Sequence, residues 1–181
     1  MELTEHFTLE EFLESEMADR LGIKNEPNQE QYVSLKALAV NLMEPIRVRF
    51  GAPIRIQSGL RVKALNAVTP GSSNTSQHTL GEACDFKVRG VAVHDVARWL
   101  AQSDLPWDQL IAEFVVDGQP DKGWTHVSFS RRHRRQVLTA SRGAGGKTIY
   151  TPGLPAWMMA RPAIQLPVVG RAAHSAVPRK P

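Results

Sequence analysis

The sequence has a single cysteine, no long hydrophobic run and no acidic residue after position 121. One cysteine, Cys84, excludes an internal disulfide and a zinc cluster built from several cysteines. No apolar stretch has the length of about 20 residues that a membrane-spanning helix requires. The N-terminal segment MELTEHFTLEEF also lacks the basic and apolar regions of a Sec signal peptide. We therefore expect synthesis in the cytoplasm without Sec export, and no transmembrane segment.

Charge is divided unevenly along the 181 residues. Residues 1–121 hold all 18 acidic residues and 11 of the Lys and Arg residues, a net charge of −7. Residues 122–181 hold the other 11 basic residues and have a net charge of +11. Such a division is typical of a basic segment that binds an anionic partner, and equally of a solubilising tail. The composition leaves both alternatives open.

The residue pattern predicts one α+β domain over residues 1–150, followed by a basic, proline-rich tail over residues 151–181. Thr8 and Asn28 are predicted N-caps of two helical regions, and a further helix is predicted over residues 93–102. Six of the 12 prolines fall in the tail, which favours an extended arm over a packed one. Short strands are predicted at residues 54–56, 83–88, 109–116 and 124–129.

The segment SQHTLGEACDF places His78 and Asp85 seven positions apart. Histidine nitrogen and carboxylate oxygen are good zinc ligands, and a catalytic zinc keeps three protein ligands. Gly81 permits the turn that would bring the two side chains back to one point. His126, in a predicted strand, is the candidate third ligand. An isolated histidine is more often a surface or core residue, so these residues alone make a weak motif.

Three motifs occur in order along the chain: SGLRVKALN at 58–66, SQHTLGEACDF at 76–86 and WTHVSF at 124–129. They resemble the S-x-H, G-x-A-x-D and late W-x-H pattern of the M15 family of zinc peptidases. That family includes D-alanyl-D-alanine carboxypeptidases and phage endolysins that cut peptidoglycan stem peptides. The resemblance runs from about residue 5 to residue 130.

The resemblance implies that one Zn²⁺ per chain is bound by His78, Asp85 and His126. It also implies an α+β fold of the hedgehog/DD-peptidase type, in which a small antiparallel sheet carries the zinc site and packs against helices. Strand alternation supports the assignment, because Asp85 would face one side of the sheet while Cys84 and Phe86 face the other. Cys84 is therefore expected to be a buried structural thiol.

Peptide hydrolysis also needs a proton carrier for the leaving amine. Several family members carry that base two or three residues before the last histidine, where this chain has Trp124 and Gly123. Glu113 resembles a glutamate of phage-type members, and an apolar strand face would raise its pKa to suit an acid/base role. The alternative is a surface glutamate on an edge strand. Asp117 and Asp121 are weaker candidates for the base.

Four residues are candidates for substrate contact. Arg61 resembles the family arginine that holds a substrate carboxylate or polarises the scissile carbonyl, and its guanidinium is always charged. Ser76 and Gln77 flank the first histidine ligand and could bond either substrate or the ligands themselves. Trp124 either packs against the sheet or lines the cleft.

These features together predict a zinc metallopeptidase, either a carboxypeptidase or an endopeptidase, that hydrolyses peptidoglycan stem-peptide bonds involving D-amino acids. They fit a phage or prophage lysis enzyme that acts on the cell wall in the periplasm, after release or as part of a phage particle. The alternative is a metal-containing cell-wall-binding module without catalysis.

The basic tail is a candidate for binding an anionic cell-wall or outer-membrane polymer, with Trp157, Met158 and Met159 touching lipid. The arginines of residues 131–147 could also suggest a nucleic-acid-binding protein. Specific nucleic-acid binding is not expected, because the segment has no interleaved aromatic side chains and no recognisable nucleic-acid fold.

Overall fold

The structure, a computed structural model, describes residues 1–161 and contains a six-stranded sheet packed against helices. The α+β class predicted from the sequence is confirmed. The helices are α1 (Leu9–Leu13), α2 (Glu16–Leu21), α3 (Gln29–Leu38), α4 (Glu44–Phe50), α5 (Lys63–Val68), α6 (Val93–Gln102) and α7 (Ala156–Met159). The strands are β1 (Ile54–Ser58), β2 (Ala83–Val88), β3 (Gln109–Glu113), β4 (Trp124–Ser128), β5 (Gln136–Arg142) and β6 (Thr148–Pro152).

The strand order across the sheet is β1-β2-β4-β3-β5-β6. Every neighbouring pair is antiparallel except β3 and β5, which run parallel. The antiparallel sheet predicted from the family resemblance is therefore extended by a hairpin, β5–β6, that was not predicted. As a result β3 lies between two strands, and Glu113 at its end is not on an edge strand.

The predicted N-caps explain where the first helices begin. The Thr8 backbone N–H donates to Glu11 Oε1 at 3.0 Å, which forms one half of a capping box. Asn28 Oδ1 accepts from the Gln31 backbone N–H at 2.9 Å, and Gln31 Oε1 accepts from the Asn28 N–H at 2.8 Å. The first helical region is split into α1 and α2, because Ser15 caps the backbone N–H of residue 18 and starts a new helix.

One face of the sheet packs against the helices and forms the main core. Cys84 and Phe86 of β2 are completely buried on this face, together with Leu110 of β3 and Val127 of β4. The Cys84 Sγ lies 3.2 Å from the Met43 Sδ, and burial raises the pKa of the thiol well above its usual value. Complete burial of a large apolar side chain stabilises the fold by roughly 1.5–3 kcal/mol. Alternation along the strands leaves the opposite face for polar side chains.

The packed part of the chain continues past the predicted boundary at residue 150. Strand β6 ends at Pro152, and α7 then packs against α6 with the Met158 side chain completely buried. The Arg98 guanidinium donates to the carbonyl oxygens of Met158 and Arg161 at 3.1 and 2.9 Å. Trp157 lies edge-on to the His94 ring at 5.4 Å.

Two of the residues proposed to touch lipid are therefore used inside the domain, since Met158 is buried and Trp157 packs on α6. Met159 remains half exposed. Residues 162–181 of the predicted tail lie outside the described residues.

Some arginines of the run at residues 131–135 make contacts within the domain. Arg134 Nη2 donates to Asp108 Oδ2 at 2.6 Å, and the guanidinium of Arg135 stacks over the Trp107 ring at 3.8 Å. Both contacts tie the connection between β4 and β5 to the segment before β3. Half of the four arginines in the run therefore have structural contacts, which reduces the charge available to an anionic ligand.

None of the helices in residues 1–161 has the length and apolar character that a membrane crossing needs.

Candidate active site

Two of the predicted metal ligands are brought together by strand register. Asp85 of β2 and His126 of β4 are direct partners in the antiparallel pairing, so their side chains project from the same face. Asp85 Oδ1 lies 2.8 Å from His126 Nδ1. Both side chains are buried. Ile111 of β3 is the next partner of His126 in the same row and gives the site an apolar wall.

The third predicted ligand, His78, reaches the site from a 3₁₀ turn formed by Gln77–Leu80. Gly81 ends this turn with φ of 70°, and a Cβ there would lie 2.7 Å from the Gln31 carbonyl oxygen, so the position requires glycine. His78 Nε2 then lies 3.3 Å from His126 Nδ1 and 3.4 Å from Asp85 Oδ1. The turn that was predicted at Gly81 is present.

The chemistry of this donor set fits a metal ion. His78 Nδ1 lies 2.7 Å from the Gly59 carbonyl oxygen, and only a ring N–H can make that hydrogen bond. The neutral ring therefore directs the lone pair of Nε2 into the site. His78 Nε2, Asp85 Oδ1 and His126 Nδ1 all lie within 4.8 Å of one another and are buried. Three lone-pair atoms at this separation, two nitrogens and one carboxylate oxygen, match the ligands that zinc prefers.

Burial and neighbouring charges favour the protonation states that bind a cation. Burial lowers the pKa of His78, which keeps the imidazole neutral at neutral pH. Burial by itself would raise the pKa of Asp85. In the metal-free chain, the positive charge that His78 carries when protonated and a proton on His126 Nδ1 outweigh burial, so the Asp85 pKa lies well below its usual value. A bound metal ion would take the place of these protons. At neutral pH the cluster therefore offers a carboxylate and a neutral imidazole.

Glu113 lies on the same face of the sheet as the cluster. It is the direct partner of Trp124, two residues before His126 on β4, so it occupies the next row along the site face. Burial is the main cause that raises its pKa, and the negative charge of Asp85 raises the pKa further. The pKa of Glu113 is about 7 as a result. A carboxyl group with such a pKa can hold or release a proton at neutral pH, as an acid/base catalyst must.

The backbone that follows Glu113 adopts an uncommon conformation. Phe114 has φ of 54°, in the left-handed region that is unusual for a residue with a side chain. Its backbone N–H donates to the Ala140 carbonyl oxygen at 2.8 Å. Strand β3 therefore ends at Glu113, short of the end predicted at residue 116.

Gly123 occupies one of the two positions where several family members carry the base. It has φ of 75°, and a Cβ there would overlap the carbonyl oxygen of Glu113. The close approach of the two backbones excludes any side chain at residue 123. Glu113, on the facing strand, instead supplies a carboxylate beside the ligand cluster.

Arg61 is attached to the ligand turn by its own backbone. Its N–H donates to the His78 carbonyl oxygen at 3.1 Å, and its Nη2 donates to Ser76 Oγ at 3.1 Å. Its Nε is buried without a hydrogen-bond partner in residues 1–161. Burial lowers the pKa of Arg61, and the charges of Asp85 and Glu113 oppose that shift. The guanidinium thus retains a free donor within electrostatic reach of both carboxylates. The contact also gives Ser76 a role, which is to orient Arg61.

The Gln77 side chain is bonded within the domain and is not free to make the predicted contact with substrate. Its amide nitrogen donates to Asp108 Oδ2 at 2.9 Å and to Glu82 Oε2 at 3.0 Å, and its amide oxygen accepts from Arg134 Nη2 at 2.7 Å. Burial would raise the pKa of Asp108, but the hydrogen bonds from Arg134 hold it at about 2. Because these contacts occupy both ends of the Gln77 amide, the residue holds the His78 turn in place.

Trp124 lies on the site face beside Glu113. Its ring is edge-on to Phe114, with centroids 5.1 Å apart, and its Nε1 is buried without a partner in residues 1–161. The ring therefore packs against the end of β3 and also borders the site, which the sequence did not decide.

A sequence model of the peptidase M15 family matches residues 5–116. The chain belongs to the peptidase M15 family. The match contains His78, Asp85 and Glu113, while His126 follows it on the strand that pairs with Asp85. A search of curated proteins found no match. Membership supports a metallopeptidase, and the six-stranded sheet with its helices is consistent with an M15 fold.

The β5–β6 hairpin of this M15 domain contributes two residues near the site that sequence reasoning missed. Charges of Arg142 and Tyr150 interact with Glu113, and Arg142 also lies over the Phe114 ring at 4.3 Å. A signal was present in the sequence: the alternating segments QVLTASR and TIYTP flank the glycine-rich turn GAGGK, a pattern typical of a hairpin.

Proposed function

We propose that this M15 domain is a zinc-dependent peptidase that hydrolyses peptidoglycan stem-peptide bonds involving D-amino acids. The main support is the combination of a buried His78, Asp85 and His126 cluster with a carboxyl group, Glu113, on the same sheet face. Neither part would suffice alone, since in this proposal the cluster binds the metal and Glu113 carries the proton. Peptide hydrolysis needs both.

In this proposal His78, Asp85 and His126 hold one zinc ion. When bound, zinc supplies Lewis-acid chemistry, which polarises a carbonyl oxygen and makes water a better nucleophile. Glu113 accepts the proton of the attacking water on its carboxylate and delivers it to the leaving amine nitrogen. Burial raises the Glu113 pKa to about 7 in the metal-free chain, and a bound cation would lower it from there, so the carboxyl group can take and release a proton near neutral pH.

Arg61 orients the substrate. Its backbone tie to His78 and its hydrogen bond to Ser76 fix the guanidinium beside the ligand cluster. The buried Nε donor suits an anionic or partly anionic oxygen, either a substrate carboxylate or the scissile carbonyl as charge develops.

The biological setting in this proposal is a phage or prophage lysis enzyme that acts on the cell wall in the periplasm. Support comes from the resemblance of Glu113 to a glutamate of phage-type M15 members and from the net charge of +11 over residues 122–181. Arg131 and Arg132 are exposed and could meet an anionic wall or outer-membrane polymer, whereas Arg134 and Arg135 are engaged within the fold.

A metal-containing cell-wall-binding module without catalysis is the second candidate. The absence of a carboxylate at residues 123 and 124 favours it. The position and raised pKa of Glu113 favour the enzyme.

The deciding experiment is mass spectrometry of defined muropeptides incubated with the zinc-loaded chain. Matched peptides that end in D-Ala or L-Ala test the stereochemical preference, and chelation followed by zinc addition tests metal dependence. Loss of one terminal D-Ala indicates a carboxypeptidase, and an internal cut indicates an endopeptidase. Retention on peptidoglycan without cleavage of any peptide would support the binding module and contradict the enzyme.

A further inference from the structure

The β5–β6 hairpin extends the site face of the sheet beyond Glu113. Glu113 is the partner of Ala140 on β5, and Ala140 is the partner of Tyr150 on β6. Directly paired residues project from the same face, so Glu113, Ala140 and Tyr150 form one row across three strands. The middle member is an alanine, 1% exposed, whose short side chain leaves the space above it to its two larger neighbours.

The Tyr150 side chain remains accessible and has hydrogen-bonding capacity to spare. It is 50% exposed, and its hydroxyl makes no hydrogen bond within residues 1–161. Partial burial and the negative charges of Glu113 and Asp85 raise its pKa above the usual value for a phenol, whereas Arg61 and Arg142 act in the opposite direction. The phenol is therefore an O–H donor throughout the neutral range.

The reacting carbonyl must lie close to this donor if Glu113 is the base. A general base has to be within hydrogen-bond reach of the attacking water, or connected to it by one water molecule. The carbonyl carbon that this water attacks then lies next to Glu113, over the site face of the sheet. The Tyr150 hydroxyl belongs to the same row, on the hairpin side of Glu113.

We propose that Tyr150 is a substrate-contacting catalytic residue whose hydroxyl donates a hydrogen bond to the oxygen of the scissile carbonyl. The bond strengthens as negative charge develops on that oxygen, so it stabilises the transition state more than the bound substrate. The inference rests on the proposed function and adds to it a residue from outside the segment that matches the family, which ends at residue 116.

The kinetic test compares Tyr150→Phe with the wild type in the full zinc-loaded chain. Loss of one hydrogen bond to a charged oxygen costs about 1.5–3 kcal/mol, so kcat should fall roughly 10- to 100-fold while KM stays within about twofold. The variant should retain its zinc and its thermal midpoint. A wild-type kcat, or a rise in KM alone, would overturn the assignment. Tyr32→Phe is the matched control, because Tyr32 is the other tyrosine and packs against the core from α3.

A second test needs neither zinc nor substrate. With only two tyrosines in the chain, the ultraviolet titration of metal-free Tyr32→Phe reports Tyr150 alone. Adding Glu113→Gln removes a negative charge that raises the Tyr150 pKa, so the phenol should titrate at lower pH. An unchanged titration would show that the phenol is not beside Glu113 and would overturn the inference.

The two tests separate the inference from the function on which it rests. If the wild-type chain cleaves no muropeptide, the proposed function fails and the inference fails with it. If the wild type cleaves and Tyr150→Phe cleaves equally well, only the inference fails.

Discussion

Asp85 and His126 face each other across the β2–β4 pairing, with Asp85 Oδ1 2.8 Å from His126 Nδ1. Two rigid strands therefore set the separation of these two ligand atoms. His78 completes the group from a turn whose position depends on Gly81 and on the buried amide of Gln77. The proposed metal site would therefore be held in its binding geometry before an ion binds, and each of the three ligands should be indispensable.

The first prediction concerns zinc content. The wild type should hold about one zinc per chain by elemental analysis, and His78→Ala, Asp85→Ala and His126→Ala should each lose it, because each removes one of three protein ligands. His133→Ala is the control, since His133 is exposed and lies outside the cluster. Stoichiometric zinc in all three ligand variants would exclude the site.

The second prediction concerns the proton carrier. Glu113→Gln keeps the shape of the side chain, so fold and zinc content should persist while kcat falls roughly 10²- to 10⁴-fold, the usual contribution of a positioned acid/base group. Asp117→Asn and Asp121→Asn are matched controls and should keep a near-normal rate. Muropeptide turnover measures the effect. A normal rate for Glu113→Gln would remove it as the base.

The third prediction is a pH profile. Glu113 acts as a base only when ionised, so kcat/KM should rise with pH through the pKa of this carboxyl group, which is about 7 in the metal-free chain, and level off above it. A divalent cation nearby favours the ionised form, so in the zinc-loaded enzyme the midpoint should lie below this value. The residual activity of Glu113→Gln should lack this limb. If the variant showed the same rise of kcat/KM with an unchanged midpoint, the rise would have to come from another titrating group.

The fourth prediction links the same residue to stability. The raised pKa means that the folded metal-free chain disfavours ionised Glu113, so this residue lowers stability progressively as pH rises from its unfolded value of 4.5 to about 7. Glu113→Gln should therefore raise the thermal midpoint of the metal-free protein at pH 8 and change it little at pH 4. A variant less stable than the wild type at pH 8 would contradict this account.

The fifth prediction concerns the C-terminal side of the domain. Met158 is completely buried and Met159 is 47% exposed, so neighbouring methionines form a matched pair. Met158→Ala should lower the free energy of unfolding by about 2–5 kcal/mol, and Met159→Ala by less than about 0.5 kcal/mol, as measured by urea denaturation. Equal effects would mean that α7 does not pack on α6.

Deleting residues 151–181 should also destabilise the domain, because it removes Met158 and shortens β6.

Local patterns were enough to place much of the fold. The predicted bounds of β2 and α6 agree with the structure at both ends, because strand alternation and helical spacing are properties of neighbouring residues. The N-caps Thr8 and Asn28 were predictable for the same reason. The parallel pairing of β5 with β3 was not, since it depends on contacts between residues far apart in the sequence.

The sequence by itself determined which residues are candidates for the site. The resemblance of its motifs to the M15 family identified His78, Asp85, His126, Glu113 and Arg61, and their residue types fit metal and proton chemistry. Only the tertiary structure decided which other residues surround these candidates and which contacts those residues make.

Gln77 follows a motif serine, yet its amide is used entirely by Asp108, Glu82 and Arg134. Tyr150 lies outside the sequence motifs, yet strand pairing places it in the same row as Glu113. The reason is physical: a side chain's chemical type is local, whereas its burial, charge environment and hydrogen-bond partners come from segments that folding brings together.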